Sequence, residues 1–448
     1  MTRERAQPGR TVREYGAAGD GSTDDTTSIQ AAIDDGPGTV ELPGGRYRVT
    51  EPLVVELEGT GPVSLVGTGT PTIEMVGSGP AVIVRGTHSG TASPDTVTSS
   101  VWSSERFPII DGLEIVGCHA AADGLKITKT MQCTLSRLLV RETRHAIRLA
   151  DRNRNVTVAD CHLYDNRGKG LYLDEVDLHQ INVHGCHVSY NDGGGIVAVD
   201  GAVRNLQVAA CDIESNMAPG APPTANLQID MSRGSLREGA IVGCTLQHAS
   251  DAADSANVRL SGHGPADSRK VGHFVVANNA MSDVRHNVHV EYGRGVVIQG
   301  NTLWKGFDHH VLVEESSNVV IGPNLLDRNP DYGPPDSSDG IVIRDSSEIS
   351  VNGIHVNDAT GGNAGVDLEQ CDTYKVADAT LVGCQGPAIR AVGCNRGMIT
   401  DNLVAEVAGS DAPAIVVRDG SETLVGGNHA TDGIEADSSA VLQGNHAG

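Results

Sequence analysis

The sequence predicts an all-β solenoid, a single-stranded parallel β-helix of about 13 coils with a short helix at its start. Three observations carry that expectation. Short strands of alternating apolar and polar residues recur at intervals mostly in the twenties from about residue 124 onward. One residue type returns at the same turn position in successive repeats. Gly supplies 55 of 448 residues while aromatics supply 3%, so the core must stack small aliphatics instead of large rings.

Residues 1–57 form the starting unit. VREYGAAGDGSTDDTTSIQAAID reads as a strand, a Gly-rich turn and a polar cap (Asp24, Asp25, Thr26). A helix follows, with Ile29, Ala32 and Ile33 on one face. GTVELPGGRYRVTEPLVV then reads as strand, turn, strand. So short a helix must lay its apolar face over an open end of something, as the cap of a solenoid does.

The motifs Tyr15-Gly16-Ala17, Gly19-Asp20-Gly21, Thr23-Asp24-Asp25-Thr26, Ile29-Gln30-Ala31-Ala32-Ile33 and Leu42-Pro43-Gly44-Gly45-Arg46-Tyr47 closely resemble the opening of the pectate-lyase superfamily. That family includes polysaccharide lyases, polygalacturonase-like hydrolases, alginate epimerases, fructan transferases and phage tailspikes. The resemblance covers roughly a tenth of the chain and implies a right-handed parallel β-helix. It does not choose among those reactions.

Residues 58–448 are expected to continue the same domain as the helix body. VRGTHSGTASPDTVTSSVWSSER (85–107) has no period and is a lateral loop. Strand openings then fall at Gly124, Ala146, Gly170, Gly195, Asn226, Asn257, Asn287, His310, Gly340, Gly365, Ala388, Ala414 and Gly433. A second strand per coil carries Cys161, Cys186, Cys211 and Cys244 at its turn, then Asn279, Asn301 and Asn324, and later Asn402, Asn428 and Asn445. These columns, stacked about 4.8 Å apart, are structural: reduced thiols fill space and amides bond along the ladder. At that rise the coils would span roughly 60 Å. Nine cysteines without a CxxC argue against disulfides and metal clusters.

The net charge of -24 excludes a nucleic-acid partner, which needs a basic footprint. MTRERAQPGR lacks an apolar signal core, and no run reaches membrane-spanning length. No compartment follows from this, since the chain could be cytoplasmic or could have lost a leader. The final coils shorten without a capping helix, which suggests cover by a second subunit and a homotrimer.

Four coils are longer than the rest, carrying MAPGAPPT, HASDAADS, GPADSRKVGH and RNPDYGPPDSS. Loops grouped on one flank of a rigid sheet build binding walls. The outward first-strand positions beside them hold the densest mixture of carboxylates, Arg and His. Asp230, Glu291, His289, Arg259 and His263 are the expected catalytic group. Asp174, Tyr172, Gln228, Glu314, Arg344, Tyr292 and Trp304 are expected to contact substrate. Carboxylates one or two coils apart push their pKa values apart, which makes an acid and a base from similar groups.

These residues suit a two-carboxylate glycosidase or transglycosidase acting on a poly- or oligosaccharide, with Asp230 and Glu291 as acid and base or nucleophile. Gly262-His263-Gly264 is similar to the Gly-His-Gly of polygalacturonases, although the family's paired Asp-Asp, Asn-Thr-Asp and Arg-Ile-Lys are not found in order. A second reading is a uronate lyase or C5-epimerase. There Arg259, Arg344 or a Ca2+ ion would neutralise the sugar carboxylate, and His289 or Tyr292 would take the proton. The Asp-Pro-His-Glu motif of alginate epimerases is absent. A third reading is a tailspike-like glycan-binding rod. Asp308-His309-His310 is read as turn residues whose imidazoles point to opposite faces, not as a metal site.

Overall fold

The computed structural model describes residues 9–264, 270–328, 331, 338, 340–407, 412–438 and 440–447. It divides into two compact units, Met1–Asn216 and Met217–Gly448. Both are built from right-handed parallel β-helix coils, and each is described in turn.

In the first unit the strands Leu53–Glu56, Gly79–Arg85, Ala122–Met131, Ile147–Ala159, Leu171–His184 and Ile196–Val199 pair in parallel. Alternation points every second side chain inward. Val55, Val84, Ile127, Leu149, Leu173 and Ala198 therefore stack in one fully buried column. The segment read as a single second strand proves to be two strands folded at a bend. In NVTVADCHLYDN, Asp160 takes φ 53° and Cys161 turns inward, so His162–Tyr164 starts a third sheet. That sheet contributes its own inward column, Ile115, Val140, Leu163, Val188 and Ile213.

The cap also departs from expectation at its first element. VREY is one turn of 3-10 helix, not a strand: Thr11 N–H donates to Glu14 Oε2 at 3.1 Å, and Gly16 ends the turn at φ 96°. The helix Thr26–Asp34 buries Ile29, Ala32 and Ile33 as the pattern requires. Its Gln30 amide donates to Val54 O at 2.9 Å and accepts from Val54 N at 2.8 Å. A side chain thus imitates the missing neighbour strand and closes an exposed sheet edge. Residues 85–107 are a lateral excursion, as expected, but contain a helical turn at Val101–Glu105. Val97, Val101 and Met131 form a small core under it, with Trp102 packed alongside.

The second unit repeats the same three-sheet coil. Leu227, Val258, Val288, Val311, Ile341, Val366, Ile389 and Ile415 stack in the first sheet. Ile241, Val276, Ile298, Ile321, Val351, Val376, Ile399 and Val425 stack in the second. All of them are fully buried. The asparagine ladder forms as read: Asn279 donates to Asn301, and Asn301 to Asn324, both at 3.0 Å. Asn402 to Asn428 and Asn428 to Asn445 follow at 2.9 and 3.0 Å. Two further ladders also form. Asn166, Asn191 and Asn216 link in the first unit, and Asn226, Asn257 and Asn287 in the second. Among the described residues the cysteines are free thiols, buried except Cys118.

Candidate functional site

The first sheet of the second unit sets two outward rows in strict register. One runs Asp230, Ser261, Glu291, Glu314, Arg344, Glu369. The other runs Gln228, Arg259, His289, Leu312, Val342, Asp367. Asp230 and Glu291 are two strands apart, so their backbones are separated by about 10 Å. Ser261 stands between them, and its hydroxyl donates to Glu291 Oε2 at 2.9 Å.

Each carboxylate in the row has a different partner. His263 lies past the end of the neighbouring strand at φ 47°, and its Nε2 reaches Asp230 Oδ1 at 2.5 Å. Gly262 makes that turn possible, because a Cβ there would meet Tyr292 O at 2.5 Å. His289 is 8% exposed and bonds Glu314 Oε2 through Nε2 at 3.1 Å, while its buried Nδ1 has no hydrogen-bond partner. That hydrogen bond outweighs burial and holds the Glu314 carboxyl below the usual range, with the charges of His289 and Arg344 assisting. Arg344 lies between two acids, 3.6 Å from Glu314 and 3.4 Å from Glu369.

Tyr292 breaks the pattern of its own position. In several coils the residue after the first strand bends the chain in the left-handed region, as Glu315, Asp345, Gln370, Gly393 and Asp419 do. Tyr292 adopts φ 50° at that same bend. A bulky residue with positive φ is uncommon and marks a place where something other than backbone preference chose the side chain. Its hydroxyl pKa is raised first by Glu315, then by burial, Glu291 and Glu314, so the ring lies among the acids of the row.

Several expected residues have other surroundings. Arg259 turns to Asp254, 3.0 Å from Oδ2, and does not project over the row. Trp304 occupies the corner between Thr302–Leu303 and Gly306–Glu314, outside both rows. Tyr172 and Asp174 belong to the first unit. There Arg148 pairs with Asp174, and Lys169 Nζ sits 4.4 Å from the Tyr172 ring centroid. Of the long loops, 265–269 and most of 329–339 lie outside the described residues.

A histidine cluster escaped the sequence reading. His286 and His309 occupy adjacent strands and stack, centroids 5.2 Å apart and planes at 11°, and His289 lies 5.5 Å from His286. His309 therefore belongs to a strand, not a turn, while buried His310 faces Asn287 on the other side. His286 Nε2 contacts Asp254 Oδ1 at 2.8 Å, and the two Nδ1 atoms meet at 3.2 Å. Burial opposes ionisation of Asp254, but the His286 hydrogen bond and the charges of Arg259, His286 and His289 prevail and hold it at about 2. Burial, aided by His286, lowers His309 to about 4. An ionised carboxylate only accepts, so His286 donates to Asp254 from Nε2. Among the described residues no three His, Cys, Asp or Glu side chains converge as ligands for one cation.

Family models match three stretches of the chain: rhamnogalacturonase A/epimerase, pectate lyase-like, over 9–106; right-handed β-helix region over 78–222; and periplasmic copper-binding protein NosD over 226–407. Alginate lyase 7 of Azotobacter vinelandii is 60% identical over 43 residues, 9% of this chain and 5% of that protein. Mannuronan C5-epimerase AlgE3 of the same organism is 49% identical over 65 residues, 13% of this chain and 4% of that protein. The matched segments thus span a small fraction of these relatives. Among solved structures, the tailspike gp49 of Pseudomonas phage LKA1 aligns with a TM-score of 0.49 and 12% identity, covering 97% of this chain and 84% of that one. The resemblance to pectate-lyase-like, right-handed β-helices thus extends beyond the opening motifs.

Proposed function

We propose that the second unit carries a carbohydrate-active site that cleaves a glycosidic bond of a poly- or oligosaccharide, with Asp230 and Glu291 as its acid and base. The supporting observation is the register itself. Two carboxylates flank one short side chain, Ser261, on a rigid sheet, and each is oriented by a neighbour, His263 or Ser261. A gap of two strands leaves room for a water beside the sugar and favours inversion over retention. Tyr292 and Arg344 border the same row and would hold the sugar by its ring face and hydroxyls. The pectate-lyase-like match over 9–106 supports the substrate class.

The test is product analysis on a panel of neutral and uronate glycans, with and without EDTA, for wild type, Asp230→Asn and Glu291→Gln. New reducing ends whose anomer is inverted, lost in both variants, are expected. A retained anomer would overturn the stereochemical assignment, and an active Glu291→Gln enzyme would overturn the site.

A uronate lyase or epimerase is the second reading. It is favoured by the neutral, oriented His309, a base of the kind that C5-proton removal needs, and by the alginate lyase and epimerase segments. The ultraviolet band of an unsaturated uronate, appearing with the new chain ends, would select elimination over hydrolysis. Glycan binding without any product would select the rod.

A further inference from the structure

The second sheet of the first unit carries a grid of amides on its outer face. Thr157, Asn182 and Gln207 stand side by side in register on the strands Ile147–Ala159, Leu171–His184 and Ala202–Ala209. Two residues earlier on each strand, Asn155, Gln180 and Asn205 take the same left-handed bend, at φ 54°, 68° and 59°. Together these six line a shallow, open-sided groove of about 340 Å3. That volume lies at the small end of the range for ligand sites.

Backbone preference accounts for only part of the grid. Asn tolerates the left-handed region, so Asn155 and Asn205 need no further reason. Gln180 has no such affinity for the bend, and Asn182 is a poor strand former placed within a strand. Charge is missing as well. Charged residues make up 20% of the chain, and the same coils put Arg148 and Asp174 on the first sheet and Asp212 and Glu214 on the third. The six groove residues are all neutral.

Their side chains are also unspent. Inside the same coils the buried ladder satisfies itself, Asn166 donating to Asn191 at 2.8 Å and Asn191 to Asn216 at 2.7 Å. On the outer face Asn155 donates to Gln180, and among the described residues the side chains of Thr157, Asn182, Asn205 and Gln207 bond no protein group. The sheet thus holds free donors and acceptors in two rows, with neighbours about 4.8 Å apart.

That arrangement selects what can lie there. An amide both donates and accepts, and so does a sugar hydroxyl. An ion would find no countercharge, and a polyanion is further disfavoured by the net charge of -24. An apolar ligand would find no aromatic ring among the lining residues. The strand spacing is close to the length of one sugar residue in an extended glycan, so successive sugars would meet successive strands.

We propose that this groove binds a neutral, extended glycan chain laid across the three strands, one sugar residue to each. It uses no residue of the second unit and does not depend on the reaction assigned there.

Titration calorimetry on the full chain with cellotetraose, β-1,4-mannotetraose and tetragalacturonate tests it. At least one neutral tetrasaccharide should bind, and more tightly than tetragalacturonate. Asn182→Asp/Gln207→Glu keeps the shape of both side chains but removes their donors, and should weaken that binding about tenfold or more. Asn182→Thr/Gln207→Thr replaces the amides with a better strand former, so it should lose binding while its melting temperature equals or exceeds that of wild type. A purely structural role for the amides would not pair lost binding with undiminished stability. Glu291→Gln should bind the neutral probe as wild type does, which separates this groove from the carboxylates of the second unit. The proposal is overturned by wild type that binds neither neutral probe, by tetragalacturonate binding as tightly, by loss of binding in Glu291→Gln, or by affinities that ignore both double substitutions.

Discussion

Glu291 and Tyr292 are neighbours in sequence that meet the fold on different terms. Glu291 occupies an ordinary outward position, where the backbone asks nothing special of the side chain. Glu291→Gln should therefore reduce turnover by about 10²–10⁴-fold while leaving the melting temperature close to wild type. Tyr292 occupies a left-handed bend that its side chain disfavours. Tyr292→Asn should raise stability by about 0.5–1 kcal/mol and lower activity, a trade seen by pairing a urea melt with a rate. The histidines add a dependence on pH. His309 is held at about 4 against an ordinary 6.5. Its unfolded form takes up a proton as pH falls through 6.5, while its folded form does not until about 4. Stability should thus be full above pH 6.5 and decline between there and 4, by at most about 3 kcal/mol. His309→Gln should flatten that slope in urea midpoints measured across the window; an unchanged slope would place the titration elsewhere.

Among the elements, the turn ladders show how much one coil depends on the next. Asn257 donates to Asn287 Oδ1 at 2.8 Å and to Ser282 O at 3.0 Å, and accepts from Asn226. Asn257→Ala should cost about 2–4 kcal/mol in a urea titration, because it removes three buried hydrogen bonds at once. Cys186→Ala, which removes a thiol that mainly fills space, should cost about 1 kcal/mol. The same ladders show what the residue pattern made legible. The thirteen predicted strand openings each precede an inward residue in the paired register, because alternation leaves one way to bury Val288 beside Val258 and Val311. The outward rows follow from that register. Side-chain direction does not: nothing in the spacing told Arg259 to turn to Asp254. His286 and His309 fall before the alternating stretch, where only the paired strands show that they face each other. The turn at Cys161 in NVTVADCHLYDN was legible, but not that the chain leaves it as a strand of a third sheet, His162–Tyr164.

At the scale of the whole molecule the acidic surface sets what can approach. With a net charge of -24, a polyanionic glycan is repelled at long range, and salt shortens that range to about 10 Å at 0.1 M. For a uronate polymer KM should fall severalfold between low and moderate salt, whereas a neutral glycan should show no such change; identical salt profiles would remove charge as a selector. The register has another consequence, for how such a chain can change its length. In the second unit, Gly365 to Pro387 is one full turn, with Val366 on Ile341 and Ile389 on Val366. Excising those 23 residues would bring Ile389 onto Ile341 and leave every later side chain facing as before. Excising one residue from a strand would turn the rest of that strand inside out. Outside its loops the chain is therefore free to change length only in whole turns, so duplication and loss of single coils is the step by which relatives of this chain should differ in size.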